Sequence, residues 1–185
     1  IDAVDEVSRS AAAAGIDCDF VKGGTVVYAR DEVQRRAAMA DVAATEAFGA
    51  GLDGVDTLEW WGPDRVRAAG AVGATFDPAC ARLHPAKLVR GLAHAVEAAG
   101  GRILEGTAVE SVEPATAAHR ARAVTRRGTV TADAVIVATE GYTPGLPGWR
   151  RRILPLYSLM IATEPLDDAV WDEIGIEHGQ TFSDY

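Results

Sequence analysis

Five consecutive apolar residues, Ala134-Val135-Ile136-Val137-Ala138, constrain this chain more than any other stretch. A short run without polar alternation is the pattern of a strand covered on both faces, as in a parallel sheet between helices. Before it, Ala121–Arg126 and Thr129–Ala134 flank Arg127-Gly128, which predicts a hairpin. Further upstream, Pro85 opens a segment with Leu88, Leu92, Val96 and Ala99 at helical spacing, closed by Gly100-Gly101. Helix, hairpin and buried strand in that order predict an α/β unit.

The flanks add elements of both kinds. Residues 3–14 place Val4, Val7, Ala11 and Ala14 on one helical face, and Gly15 stops the helix. Cys18 to Ala29 reads as strand, with Gly23-Gly24 as a bulge or turn. Asp31 and Gln34 have capping-box spacing and open a helix to about Phe48, with Val33, Ala37, Ala40, Ala44 and Ala47 as its apolar positions. Leu58–Trp61 follows, then a short helix with Pro63 in its first turn. Arg102–Glu113 alternates like two short strands. Beyond Pro147 come Arg150–Arg152, an apolar strand over Leu154–Thr163, and a helix from Asp167 to Ile174.

Composition excludes several function classes. With 185 residues, 48% of them hydrophobic, the chain can bury roughly 70% of its unfolded surface, so no disulfide or metal staple is required. Its two cysteines, Cys18 and Cys80, form neither a disulfide framework nor a four-ligand zinc site, and they read as free thiols in a reducing cytoplasm. No apolar run approaches the roughly 20 residues of a membrane span. A net charge of −9 disfavours a nucleic-acid partner. That charge is segregated: residues 81–152 carry a net +5 between two acidic flanks, which suits an anionic ligand such as a dinucleotide.

Most chemistry-bearing residues fall to structural readings. Gly49, Gly51 and Gly54 spell G-x-G-x-x-G, but they follow a helix instead of a strand, so they read as a loop. Cys80 and His84 are spaced for a thiolate–base pair, yet Pro85 makes His84 a helix-start residue. His94, His119 and His178 are scattered, and no spacing suggests a metal. Asp167-Asp168 suits the acidic first turn of a helix, and Trp60-Trp61 suits the core. What remains is the turn after the buried strand, Ala138-Thr139-Glu140-Gly141-Tyr142-Thr143. Ligands in open α/β sheets bind beyond the carboxyl ends of strands, and small residues there admit close approach to the backbone. An ordinary strand-exit turn is the alternative.

The order of these features resembles the D-amino-acid oxidase-like family of FAD-dependent oxidoreductases. His84-Pro85 opens a helix ended by Gly100-Gly101, and Thr107–Val112 follows as a strand. The hairpin comes next, then Ala134–Thr143, Pro155 and Ala162-Thr163-Glu164-Pro165-Leu166. Within the family, the chain is similar to the glycine oxidase, sarcosine oxidase and gamma-glutamylputrescine oxidase branches. The resemblance implies a Rossmann-like FAD domain interleaved with a substrate domain holding a mixed or antiparallel sheet. Residues 74–146 would belong to the first, and residues 1–73 and 147–185 to the second. It implies main-chain contact of Val109 with the adenine end of FAD, and contact of Ala138, Thr139, Gly141 and Tyr142 with the cofactor. Glu140 stands where family members often have glycine or asparagine, and its carboxylate must point away from a pyrophosphate.

The same resemblance implies oxidation of a C–N bond of a small amine or amino acid by hydride transfer to flavin. It also implies that the phosphate fingerprint and the substrate-contacting residues lie outside this stretch, an internal segment of a protein about twice as long. No catalytic residue is expected within it. On the residues alone two other classes stay open: a non-catalytic α/β binding or interaction module, and a cysteine-dependent hydrolase using Cys80 and His84.

Overall fold

Thr25-Val26-Val27-Tyr28-Ala29, rich in β-branched and aromatic residues, forms β1 (Thr25–Ala29), the centre of the larger sheet in the computed structural model. The structure describes residues 2–47, 57–157, 163–177 and 179–185. They divide into two compact units, Ile1–Gly101 with Thr163–Tyr185, and Arg102–Ala162. The boundaries expected at 73/74 and 146/147 separate cofactor and substrate domains, which a division into compact units does not assign; within the first unit the strand at Gly73–Asp77 pairs directly with β1.

The first unit opens with α1 (Asp2–Ala13) and continues through β1, α2 (Glu32–Ala47), β2 (Glu59–Trp61), β3 (Gly73–Asp77) and α3 (Pro85–Ala98). Its sheet has the order β2-β3-β1-β7, where β7 is Thr181–Asp184. β1 runs antiparallel to β3, with Val26 opposite Phe76 and Tyr28 opposite Ala74, and parallel to β7. The expectation of a mixed α/β chain with a mixed or antiparallel sheet is therefore met. β7 was not foreseen: Gln180-Thr181-Phe182-Ser183-Asp184 reads as polar, and becomes a strand because β1 offers it an open edge.

One face of this sheet is the core. Val26, Tyr28, Ala74 and Trp61 are buried there together with Ile176, which arrives from the end of α4 (Asp168–Ile174). Val66, Ala68 and Ala71 from the loop after β2 pack against them. That loop begins as a single turn closed by Arg65 N–H to Gly62 O (3.0 Å), so the short helix expected at Pro63 is not formed. One turn cannot sustain the cooperative ladder a helix needs.

The helices stand where periodicity places them, but their buried faces differ. α2 is capped by Asp31, whose carboxylate accepts from Val33 N–H and Gln34 N–H, both at 2.8 Å. Gln34 returns its side-chain oxygen to Arg30 N–H at 2.6 Å, one residue before the usual capping-box donor. Ala38 is its fully buried residue, with Gln34, Val42 and Thr45 partly covered beside it, while Val33, Ala37, Ala40 and Ala44 face solvent. In an alanine-rich helix the apolar contrast is weak, so the small residue that allows the closest approach to the sheet decides the face. In α3, Leu92 and Val96 are exposed and Gly91 sits against Ile16.

The second unit is a three-stranded antiparallel sheet, β4 (Val109–Glu113), β5 (Ala121–Thr125) and β6 (Gly128–Ala132), followed by a 3-10 helix (Glu140–Gly145). The hairpin is present, with Thr125 opposite Gly128 and the two-residue turn at Arg126-Arg127, one position earlier than expected. Arg102–Ala108 forms no strand, so the expected pair reduces to β4. The buried strand expected over Ala134–Ala138 is not formed: these residues have no regular structure, and Ile136 is 90% exposed. A doubly covered strand exists only where neighbours supply its ladder and both covering layers, and among the described residues this unit offers neither. For the same reason Leu154–Tyr157 is irregular and exposed; the rest of that expected strand, 158–162, lies outside the described residues.

Candidate functional site

The turn singled out by sequence sits in the second unit, where the 3-10 helix reverses the chain after Ala138. Tyr142 N–H donates to Thr139 O at 2.9 Å and Leu146 N–H to Thr143 O at 3.0 Å. Thr143 and Leu146, three apart, are buried and anchor the turn, and Thr143 Oγ1 lies 2.9 Å from Thr139 Oγ1. Sequence reasoning missed this anchoring pair, although its three-residue spacing is the mark of a 3-10 turn. The anchors leave Ala138, Thr139 and Tyr142 on the outside, Tyr142 at 88% exposure. Gly141 is half-buried beside Pro155.

Glu140 takes a left-handed conformation, φ +42°, and its carboxylate accepts from Gly141 N–H. The carboxylate is thus turned onto its own main chain. Val109 stands on a different element, at the start of β4. β4 is an edge of its sheet, and its ladder with β5 shifts between Val109 and Ser111, so the outer main-chain groups around Val109 have no strand partner among the described residues. An edge main chain and an exposed turn of small residues fit the contacts a dinucleotide makes through backbone groups.

A concavity lies within the first unit. A cleft of about 1120 Å³ runs between the turn after β2 and α4, lined by Trp61, Arg65, Arg67, Asp168, Trp171 and Asp172 among others. Trp61 is stacked on Phe76, ring centroids 4.4 Å apart, and the Arg65 guanidinium lies over the Trp61 ring, 3.7 Å from its centroid. Glu59 Oε2 accepts from Trp61 Nε1 at 3.0 Å and pairs with Arg65 Nη1 at 3.5 Å, which fixes the stack. Arg67 Nη1 donates to Asp172 O at 3.0 Å, one of the carbonyls at the end of α4. Trp61 therefore is a core residue, as its sequence neighbourhood suggested, but it also floors this cleft.

The thiol and imidazole candidates are not brought together. His84 caps α3, its Nδ1 accepting from Lys87 N–H at 3.4 Å, while Cys80 Sγ is 4.0 Å from Thr181 Oγ1. Cys18 is buried. Among the described residues no three His, Cys, Asp or Glu side chains are placed to hold a metal, and no helix is long and apolar enough to cross a membrane. The glycines Gly49, Gly51 and Gly54, and His178, lie outside the described residues.

Comparison with known proteins gives these features a setting. The chain is 30% identical over 193 residues to a probable oxidoreductase OrdL of Haemophilus influenzae, an alignment covering 100% of this chain and 43% of that protein. It is 31% identical over 163 residues to gamma-glutamylputrescine oxidoreductase of Escherichia coli, covering 83% of this chain and 35% of the relative. Among solved structures, glycine oxidase from Geobacillus kaustophilus superposes with a TM-score of 0.67 at 20% identity, over 80% of this chain and 41% of that one. The chain thus spans less than half the length of the relatives it matches. Residues 1–184 match the family described as DAO, FAD dependent oxidoreductase, and the chain belongs to that family.

Proposed function

We propose that the protein containing this chain oxidises a C–N bond of a small amine or amino acid, using FAD as the hydride acceptor. The observation that carries the reading is the family match over residues 1–184. The substrate class draws on relatives named for gamma-glutamylputrescine and glycine. FAD, when bound, supplies the redox chemistry, and the protein's task is to bind and orient. In this reading the main chain at Val109 lies toward the adenine end, and Ala138, Thr139, Gly141 and Tyr142 lie along the cofactor. Glu140, held on Gly141 N–H, keeps its charge on its own chain. Residues 74–146 serve the cofactor domain and residues 1–73 and 147–185 the substrate domain, in a protein of the reducing cytoplasm. No side chain described here is assigned to proton transfer.

The test is anaerobic mixing of the purified complete protein with gamma-glutamylputrescine, glycine and L-proline in turn. Bleaching of the flavin band by at least one of them, with release of the matching imine-derived product, is expected. A flavin that no amine or amino acid reduces, while another substrate class does, overturns the proposal.

A further inference from the structure

Charge divides between the two units more sharply than the total of −9 suggests. Residues 1–101 and 163–185, the first unit, carry a net −12, and residues 102–162 a net +3. The stretch 163–185 alone holds seven carboxylates and no basic residue. Asp184 is paired with Arg30, but among the described residues Glu164, Asp167, Asp168, Asp172, Glu173 and Glu177 enter no ion pair. All six are exposed. Arg65, Arg67 and Arg82 stand nearby, Arg65 already paired with Glu59, and they leave an excess of carboxylates.

Local folding does not account for these charges. Asp168 suits the first turn of α4, but Asp172 and Glu173 lie in its last turn, where the helix dipole disfavours a carboxylate and no basic residue offsets it. Asp167 precedes the helix without a side-chain capping bond. What such charges do act on is the solution around them. A net-negative unit raises the concentration of cations near its surface and repels anions. The reach is about one Debye length, roughly 30 Å in 10 mM salt and roughly 3 Å in 1 M. The effect belongs to the summed charge of the unit and needs no bound ion at any one carboxylate.

We propose that the acidic first unit steers substrates of net positive charge, amines whose ammonium groups outnumber their carboxylates, in preference to net-neutral amino acids. The inference rests on the amine-oxidation reading above and narrows its substrate class.

The experiment measures second-order flavin reduction in the complete FAD-bound protein, mixed anaerobically with gamma-glutamylputrescine, a net cation, or with net-neutral glycine. Between about 10 and about 500 mM salt the rate for the cation is expected to fall about tenfold, and any rate for glycine to stay within about twofold. The triple change Asp172→Asn, Glu173→Gln, Glu177→Gln is expected to cut the fall to about threefold while leaving the high-salt rate at the parent's value. Equal salt dependence for the two amines, or a fall unchanged by the triple variant, overturns the proposal. So does a flavin reduced by net-neutral amino acids alone, which leaves the oxidation reading standing. A second measurement needs no turnover: quenching of Trp171 fluorescence by a cationic and an anionic nitroxide, read as the difference between the parent and Trp171→Phe. The cationic probe is expected to quench at least about threefold more strongly at low salt and equally at high salt. Equal quenching at low salt overturns the proposal even where the amine is oxidised. Preference for the cationic probe in a protein that no amine reduces refutes the oxidation reading and keeps the acidic approach for another net-cationic substrate.

Discussion

At the scale of single residues, the candidate cofactor turn depends on backbone access more than on side-chain identity. Gly141 has space for a methyl group, because a Cβ would rest 3.6 Å from Pro155 Cβ, an ordinary contact. Gly141→Ala is therefore expected to leave unfolding free energy within about 0.5 kcal/mol of the parent. The same change is expected to weaken FAD binding if the cofactor lies against this main chain; equilibrium dialysis of the complete protein with FAD reads that directly, and unaltered affinity removes Gly141 from the contact. Gly23 is the opposite case. A Cβ there would come within 2.3 Å of the Gly179 backbone, which has no side chain to swing aside. Gly23→Ala is expected to cost roughly 1–3 kcal/mol or more in chemical denaturation, and a stability equal to the parent would show that the two segments do not pack as described. The exposure of Ile136 is the residue-scale lesson about legibility. An apolar run records which neighbours a strand needs, and becomes that strand only where those neighbours are supplied.

Elements were legible where a local signal and a long-range partner agree. The Asp31 cap of α2 is such a case, since the spacing to Gln34 is visible in the sequence and both side chains bond the helix start. Asp31→Ala is expected to cost about 1 kcal/mol, read from the midpoint of urea unfolding at constant slope. The buried face of α2 was not legible, because alanines on every side make rotation about the helix axis nearly silent in sequence, and contact with the sheet at Ala38 settles it. β7 was hidden for a related reason: its pairing with β1 spans more than 150 positions and leaves no local trace. α3 is tied to the segment between α1 and β1 by Lys87 Nζ on Asp19 Oδ1 at 2.6 Å, with Asp19 in a left-handed conformation. The hydrogen bond from Lys87 holds the Asp19 carboxyl below the ordinary carboxylate range and raises the Lys87 ammonium above its own. A carboxylate depressed in the folded state adds stability that is present above about pH 4 and lost as the pH falls through its folded value. Asp19→Asn is thus expected to be less stable than the parent at pH 6 and to converge with it near pH 2; a gap that persists undiminished at pH 2 would show that the pair does not contribute through charge.

At the scale of the whole molecule, the two units differ in how complete they are by themselves. The first closes a four-stranded mixed sheet over a core of Val26, Tyr28, Trp61, Ala74 and Ile176. The second has a three-stranded antiparallel sheet, and it leaves Ile136, Leu154, Leu156 and Tyr157 exposed. The order of motifs along the sequence was enough to reach the family, because order and spacing survive where individual residues do not: the superposed glycine oxidase keeps 20% identity at a TM-score of 0.67. The division into compact units was not reachable in the same way, since it depends on long-range strand pairing such as that of β3 with β1, which motif order does not record. The charge pattern remains informative at this scale, with the basic stretch 81–152 containing every residue proposed to touch the cofactor. The central claim is that this chain is part of a flavoprotein. The most direct test is the visible spectrum and FAD stoichiometry of the purified complete protein. About one FAD per chain, with a flavin absorption band, is the expected result; a folded, colourless protein that takes up no added FAD would contradict it.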